Sequence, residues 1–312
     1  MKVLVTGSRG VIGRPLTRFL RKWGYDVCEM DIKLGKDNDI LDRYAVEKKF
    51  ERFRPDAVIH LAARAEPWSS WSEIEEDASV NIMGTVNVLE AMKRYDCGLM
   101  VFASSCAVYG DVFKRLSRPV MESDYADSSP VSPYGLSKRV AEEYIRMYCG
   151  QFGMKYAILR FGNVYSEWDD KYLMWRLFNS RERFTLYGYG KMVRDFVYVG
   201  DVCELIMKIL DDYEFRGEEF ESGEFNVGHE ALVIEDIVME VVRRYGWPRM
   251  VVREPKRLGE FEKMVLNCDK VRGRFSWKPV VKLLDEGIGR LFGFFEKRVG
   301  WELEDLDPAD NK

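Results

Sequence analysis

Lys2-Val3-Leu4-Val5-Thr6-Gly7-Ser8-Arg9-Gly10-Val11-Ile12-Gly13 is the stretch that decides the fold. A short apolar run enters three glycines spaced three apart. A helical pattern follows, with Leu16, Phe19, Leu20 and Trp23 on one face. Glycines in such a turn let the backbone approach a pyrophosphate lying on the helix N-terminus. A second apolar run, Asp26 to Asp31, ends in an acid about 20 residues past the loop, where a carboxylate can accept the ribose hydroxyls of an adenosine. Asp31 would repel a 2′-phosphate and favours NAD over NADP, with Lys33 nearby acting against that preference.

Working outward, apolar runs at 2–6, 26–31, 57–61, 99–103 and 156–161 alternate with helical patterns near 12–22, 44–53, 78–94 and 133–150. This alternation predicts an α/β fold, a Rossmann-like doubly wound parallel sheet covered on both faces. After Tyr165 the pattern turns irregular and rich in aromatic and cationic residues, suited to a lid for an anionic, partly aromatic substrate. The expected division is a dinucleotide domain over 1–165, with 196–228 returning to it. A smaller α/β substrate domain would hold 166–195 and 229–312.

Tyr134-Gly135-Leu136-Ser137-Lys138 adds a chemical device. Residues four apart share a helix face, so the phenol and the ammonium should sit side by side. A free tyrosine, with a pKa of about 10, is a weak base at neutrality, and a neighbouring cation is expected to lower that value.

Composition narrows the classes. The 312 residues are 46% apolar with a net charge of −4, and the 48 basic residues are dispersed. That pattern excludes a nucleic-acid-binding or polybasic membrane surface. No apolar run is long enough to span a bilayer, and a strand starts at once, so a signal peptide and membrane span are not expected and a cytoplasmic location is. Six scattered cysteines without a C-x-x-C and only His60 and His229 offer no zinc-ligand spacing, so no metal is expected and the thiols read as reduced.

From residue 1 to about 292 the chain resembles the extended short-chain dehydrogenase/reductases, in particular their nucleotide-sugar epimerase/dehydratase group. The motifs that carry the resemblance follow the glycine loop in order: Asp39-Ile40, His60-Leu61-Ala62-Ala63, Asn81-Ile82-Met83-Gly84-Thr85-Val86-Asn87 and Ser104-Ser105-Cys106-Ala107-Val108-Tyr109-Gly110. After the tyrosine device come Arg160-Phe161-Gly162-Asn163-Val164-Tyr165, Arg194-Asp195-Phe196-Val197-Tyr198-Val199-Gly200-Asp201, Phe225-Asn226-Val227-Gly228, Arg257-x-Gly259-Glu260 and Trp277-Lys278-Pro279.

The resemblance implies NAD as cofactor. Its contacts would be Gly7, Arg9, Gly10, Val11, Ile12, Gly13, Asp31, Ile32, Lys33, Asp39, Ile40, Leu61, Ala62, Ala63, Asn81, Ala103, Ser104, Tyr134, Lys138 and Phe161. It makes Ser105, Tyr134 and Lys138 the catalytic set, and Ser105, Tyr134, Asn163, Arg194 and Arg257 the contacts of a UDP-sugar. His60 reads as a packed structural residue, and Tyr109-Gly110 as a turn.

The implied activity is nucleotide-sugar epimerisation, in first place UDP-glucose/UDP-galactose 4-epimerisation through a 4-keto sugar. Dehydratases of the group carry an acid shortly after the catalytic serine or threonine, where this chain has Cys106 and Ala107. Ser166-Glu167-Trp168 replaces the usual Gly-Pro. An NAD-dependent sugar or nucleotide-sugar dehydrogenase is the alternative. Glu66-Pro67-Trp68-Ser69-Ser70-Trp71-Ser72 favours it, while Arg194 and Arg257 suit a diphosphate that free sugars lack. A homodimer through the helices near 78–94 and 133–150 is expected, using Val86, Leu89, Val140 and Tyr144 unless these face the sheet.

Overall fold

A computed structural model describes residues 1–66, 70–257 and 260–298. Six parallel strands stand at its centre: β1 (Lys2–Thr6), β2 (Asp26–Met30), β3 (Ala57–His60), β4 (Leu99–Ser105), β5 (Lys155–Phe161) and, arriving later in the chain, Gly223–Val227. The spatial order places β1 between β2 and β3, with β4, β5 and Gly223–Val227 continuing beyond β3. Strand order reverses beside β1, and a crevice opens there at the carboxyl ends of the strands. The α/β, doubly wound reading of the sequence is therefore correct.

The alternation along β1 shows why both faces are apolar. Val3 and Val5 pack with Leu16 and Leu20 of helix Gly13–Lys22, and with Val202 and Ile206 of helix Val199–Arg216. Leu4 points the other way, into a cluster with Phe50, Val88, Met92 and Ile145 from helices Arg43–Phe53, Gly84–Arg94 and Pro133–Phe152. Strands buried on both sides read as unbroken apolar runs, which is what made them visible in the sequence.

The segment expected as one helix over 78–94 is longer and interrupted. Ile74–Ala78 passes through a wide π turn, Ser79–Met83, before Gly84–Arg94. Such bulges re-aim side chains locally and leave no periodicity signal.

Past β5 the chain is more ordered than its irregular pattern suggested. β6 (Asn163–Tyr165), β7 (Arg183–Leu186), β8 (Val193–Tyr198), β9 (the sixth central strand), β10 (Glu230–Val233), β11 (Met250–Arg253) and β12 (Lys263–Met264) follow. β8 pairs with β6, β10 and β12 in a second sheet, and β7 pairs with β11. Residues 196–198 thus belong to that second sheet. The chain re-enters the first sheet only with helix Val199–Arg216 behind it and β9 within it. A separate core forms around Leu177, Phe178, Ile237, Val241 and Leu291. Among the described residues no helix is long and apolar enough to cross a membrane. The tail from Glu302 lies outside the described residues.

Candidate active site

The glycine loop is tight for local reasons at two of its positions. Gly7 has φ +66°, and a Cβ there would lie 2.6 Å from Ala62 N. A Cβ on Gly13 would come within 2.2 Å of Gly7 O. Gly10 differs, since a Cβ would meet nothing closer than Gly7 O at 3.2 Å, on a surface open to the cleft. Asp31 closes the other side. Its carboxylate accepts hydrogen bonds from Arg9 N and Lys33 N, each 2.8 Å, and is held at the cleft wall with lone pairs to spare. A bare loop beside an oriented acceptor fits an NAD pyrophosphate and ribose. Lys33 is drawn off toward Asp170, 3.4 Å away, so its charge is not presented free to a 2′-phosphate.

Behind the loop a neutral hydrogen-bond chain fixes the crossing strands. Thr85 Oγ1 donates to Asn81 O (2.7 Å), so it accepts from His60 Nε2 (3.0 Å), and His60 Nδ1 accepts from Thr6 Oγ1 (2.6 Å). Thr6 Oγ1 in turn accepts from Ala62 N at 3.3 Å. Burial pushes the imidazole down to about 3, with the Lys138 charge adding to the effect. His60 is structural.

The catalytic candidates meet where β4 ends. Ser105 Oγ accepts from Ala107 N at 3.1 Å and starts the turn Cys106–Tyr109. Gly110 closes that turn at φ +45°, with no room for a Cβ beside Ser129 O. Helix Pro133–Phe152 docks its first turn on it, so closely that a Cβ on Gly135 would sit 2.7 Å from Ala107 O. Ser132 Oγ caps this helix by accepting from Gly135 N (3.1 Å), and Pro133 occupies the first position, where its missing N–H costs nothing. Ser70 Oγ accepts from Tyr134 N (2.6 Å) and donates to Asp77 (2.6 Å). Of the aromatic stretch 66–72, only 67–69 lie outside the described residues.

This docking brings Tyr134 into hydrogen-bonding reach of Ser105. Lys138, one turn on, is buried with its ammonium 4.1 Å from the centre of the Phe102 ring. The electrostatics differ from the expectation. Burial raises the Tyr134 phenol above its ordinary value, Ser105 opposes that shift, and Cys106 and Asp77 add to it. Burial likewise pushes Lys138 down to about 7, against the pull of Glu142. The protein alone therefore holds a protonated phenol beside a weakened cation. Depressing the phenol requires further positive charge in the cleft.

One continuous cleft of about 1230 Å³ joins these parts. Its dinucleotide end is lined by Gly7, Gly10, Val11, Ile12, Gly13, Asp31, Ile32, Lys33, Asp39, Ile40, Leu61, Ala62, Ala63, Ala103, Ser104 and Phe161. Its middle holds Ser105, Tyr134 and Lys138, and its far wall holds Asn163, Arg194 and Arg257. Arg194 is buried enough to lower its pKa and feels the charges of Glu260 and Arg257. Arg257 lies over the Tyr187 ring at 4.3 Å and pairs with Glu260 at 2.7 Å. Asn163 donates to Asp195 O at 3.1 Å.

Two expected contacts do not line the cleft. Asn81 is buried in the π turn, bonded to Arg64 N and O (2.9 and 3.1 Å) and to Ser137 Oγ (2.9 Å), so it organises the wall from behind. Arg9 sends its side chain to Glu29, 3.3 Å away, and contributes its backbone N–H to Asp31. The structure adds Tyr172, Arg176, Phe184 and Tyr187 to the far wall. Their aromatic and cationic character was visible in the sequence, but their direction depends on the second sheet.

Comparison with known proteins agrees with this architecture. Residues 3–228 match the family described as the NAD dependent epimerase/dehydratase family. A Methanocaldococcus jannaschii protein provisionally named a UDP-glucose 4-epimerase is 33% identical, the match covering 94% of this chain and 98% of that one. The UDP-glucose 4-epimerase of Thermus thermophilus, solved with NAD, superposes with a TM-score of 0.84 at 32% identity, over 95% of this chain and 99% of that one. The Thermotoga maritima UDP-glucose 4-epimerase, solved with UDP-glucose, does so with a TM-score of 0.85 at 27% identity, over 96% of this chain and 100% of that one. More distant relatives include a CDP-paratose 2-epimerase and a dTDP-glucose 4,6-dehydratase. The chain belongs to the NAD dependent epimerase/dehydratase family, and its cofactor is NAD.

Proposed function

We propose that this family member is a nucleotide-sugar 4-epimerase acting on a UDP-hexose, interconverting UDP-glucose and UDP-galactose. The observation that carries the reading is the continuous cleft in which Ser105, Tyr134 and Lys138 stand between the dinucleotide wall and the neighbouring guanidiniums of Arg194 and Arg257. Bound NAD supplies a two-electron acceptor that takes hydrogen from a sugar carbon and can return it.

The residues divide the remaining work. With the positive charge that bound NAD would add beside Lys138, the Tyr134 phenol would ionise, and its phenolate then accepts the proton of the sugar C4 hydroxyl while Ser105 Oγ holds the same oxygen as it becomes a carbonyl. Lys138 keeps positive charge beside the phenol and orients the cofactor ribose. Arg194 and Arg257 grip the diphosphate, because planar guanidinium forks match phosphate oxygens. A sugar tethered only at its diphosphate can present its other face; hydrogen returned to that face of C4 sets the inverted configuration, and Tyr134 gives the proton back to the C4 oxygen. Cys106 lines the cleft with its thiol pushed up to about 12, and Ala107 has no proton to transfer, so the turn after Ser105 lacks an acid for dehydration.

The test is NMR of the purified protein with UDP-galactose, with and without added NAD, alongside absorbance near ~340 nm for the reduced cofactor. UDP-glucose appearing to equilibrium without accumulating reduced cofactor supports the epimerase. Reduced cofactor rising with loss of the sugar nucleotide would assign a dehydrogenase instead, and a 4-keto-6-deoxy product would assign a dehydratase.

A homodimer accompanies this reading. Met83 (53% exposed), Leu136 (54%) and Met147 (58%) stand on the outer faces of the two helical segments, beside half-buried Val86, Val140 and Tyr144. Leu89 is fully buried against the sheet and would take no part. Light scattering of the protein in solution tests the dimer.

A further inference from the structure

The segment Ser166–Tyr172 begins at the Ser166-Glu167-Trp168 that stands in place of the usual Gly-Pro, and the chemistry above does not use it. In the order β2-β1-β3, the ends of β2 and β3 flank the end of β1 and hence the glycine loop. The segment reaches both sides. Asp170 Oδ2 is 3.4 Å from Lys33 Nζ, just beyond β2. Lys171 pairs with Glu66, and the Tyr172 hydroxyl donates to Ala65 O at 3.1 Å, both just beyond β3. The segment therefore ties the two sides of the glycine loop together, and Asp169 to Tyr172 share the cleft wall with Gly7 and Gly10.

Its two ends are fixed by buried contacts, while its crossing rests on two exposed ion pairs beside the Tyr172–Ala65 hydrogen bond. Trp168, only 9% exposed, packs beneath the guanidiniums of Arg14 (5.3 Å) and Arg18 (4.7 Å) on the helix that follows the glycine loop. The buried Asp169 carboxylate accepts from Lys171 N, Tyr172 N and Trp175 N at 3.1, 2.9 and 3.3 Å, and so anchors the start of helix Leu173–Asn179. The two crossing ion pairs are different in kind. Lys33 and Asp170 are 52% and 50% exposed, and Lys171 and Glu66 are 44% and 32% exposed. Exposed pairs of this sort stabilise little and weaken with salt.

We propose that Ser166–Tyr172 is a strap that closes over the bound dinucleotide, opens by breaking the Lys33–Asp170 and Lys171–Glu66 pairs, and sets the rate at which NAD leaves the cleft. The same latch decides what Lys33 does. While Asp170 holds it, the lysine is diverted from a 2′-phosphate beside Asp31. Release of Lys33 shifts affinity toward NADP.

The experiment uses the full chain loaded with the fluorescent analogue etheno-NAD and chased with excess NAD. Release is compared for wild type, D170N, K171M, the double variant, and E182Q, which removes a remote exposed pair with Arg249. Each latch variant is expected to release the analogue about threefold faster and the double variant about tenfold faster, the size that loss of exposed ion pairs supports. Wild-type release should accelerate between ~50 mM and ~500 mM salt, and the double variant should be nearly insensitive. D170N should also gain affinity for NADP relative to NAD. Equal release rates in wild type and the double variant would overturn the strap, as would an equal acceleration in E182Q or an unchanged salt response in the double variant.

Discussion

The Glu142 carboxylate, one helical turn beyond Lys138, meets the Arg160 guanidinium of β5 through two hydrogen bonds, 3.0 and 2.6 Å, with both side chains sealed from solvent. Ser104, at the cleft wall, donates to the same carboxylate at 2.5 Å. On the far side Arg160 donates to the Tyr109 hydroxyl (3.0 Å), which donates to Asn226 (2.7 Å). A buried charge is tolerated only while every partner is present, so the pair links the cofactor wall to the turn after β4 and to β9.

Removing one member should therefore cost far more than removing both. Glu142→Ala is expected to destabilise the NAD-free protein by ~3–5 kcal/mol, because it strands the Arg160 charge. The double variant E142M/R160M should recover much of that loss. Urea unfolding of the three proteins decides it, and a double variant as unstable as the single one would contradict the account.

His60 gives a pH signature. Its folded value is depressed to about 3 from the ordinary 6.5, so the unfolded chain binds a proton that the folded chain refuses. Stability from this group is fully present above pH 6.5 and is lost as pH falls toward 3. His60→Gln should reduce the slope of stability against pH within that window by up to ~1.4 kcal/mol per pH unit. Chemical denaturation at several pH values measures the slope, and an unchanged slope would place the titration elsewhere.

Lys138 should show function bought with stability. Its ammonium is pushed down to about 7, so between pH 7 and the ordinary 10.5 the unfolded chain carries the extra proton, and wild-type stability from this group rises with pH. Lys138→Met is expected to stabilise the NAD-free protein at and below pH 7, with the gain shrinking as pH climbs through that window. Turnover should be lost at every pH. Thermal unfolding across the pH range, paired with the UDP-galactose assay, tests both halves of the statement.

Arg194 stands half-buried at the far wall, its pKa lowered by desolvation against the pull of Glu260. Arg194→Met should weaken UDP binding by about 10- to 100-fold, the range for a lost hydrogen bond to a charged group, and leave NAD binding intact. Calorimetric titration with each ligand separates the two, and equal loss of both would indicate a collapsed cleft.

Much of the fold was legible because burial on both faces forces unbroken apolar strands, and because glycines, caps and an acid must stand at set distances to build a dinucleotide crevice. Gly7, Gly10, Gly13, Asp31, Ser105, Tyr134 and Lys138 all reach one cleft. Asn81 and Arg9 read as cofactor contacts, but their side chains are claimed by Ser137 and the Arg64 backbone in one case and by Glu29 in the other. Such competition among close polar partners leaves no mark on spacing. The π turn at Ser79–Met83 and the placement of β8 in the second sheet were likewise silent, since hydrogen-bond register depends on partners far along the chain.

By itself, the sequence determined the α/β layering, the family and the identity of the residues around the crevice, because local periodicity and short motifs encode these directly. Only the tertiary structure decided the charge states and the closure. Before any cofactor binds, burial in the packed chain holds the Tyr134 phenol above its ordinary pKa and pushes the Lys138 ammonium below its own. Residues 166–172 become a strap because β2 and β3 bring Lys33, Ala65 and Glu66 to opposite sides of the glycine loop. Desolvation and long-range juxtaposition are properties of the folded volume, and no stretch of chain carries them alone.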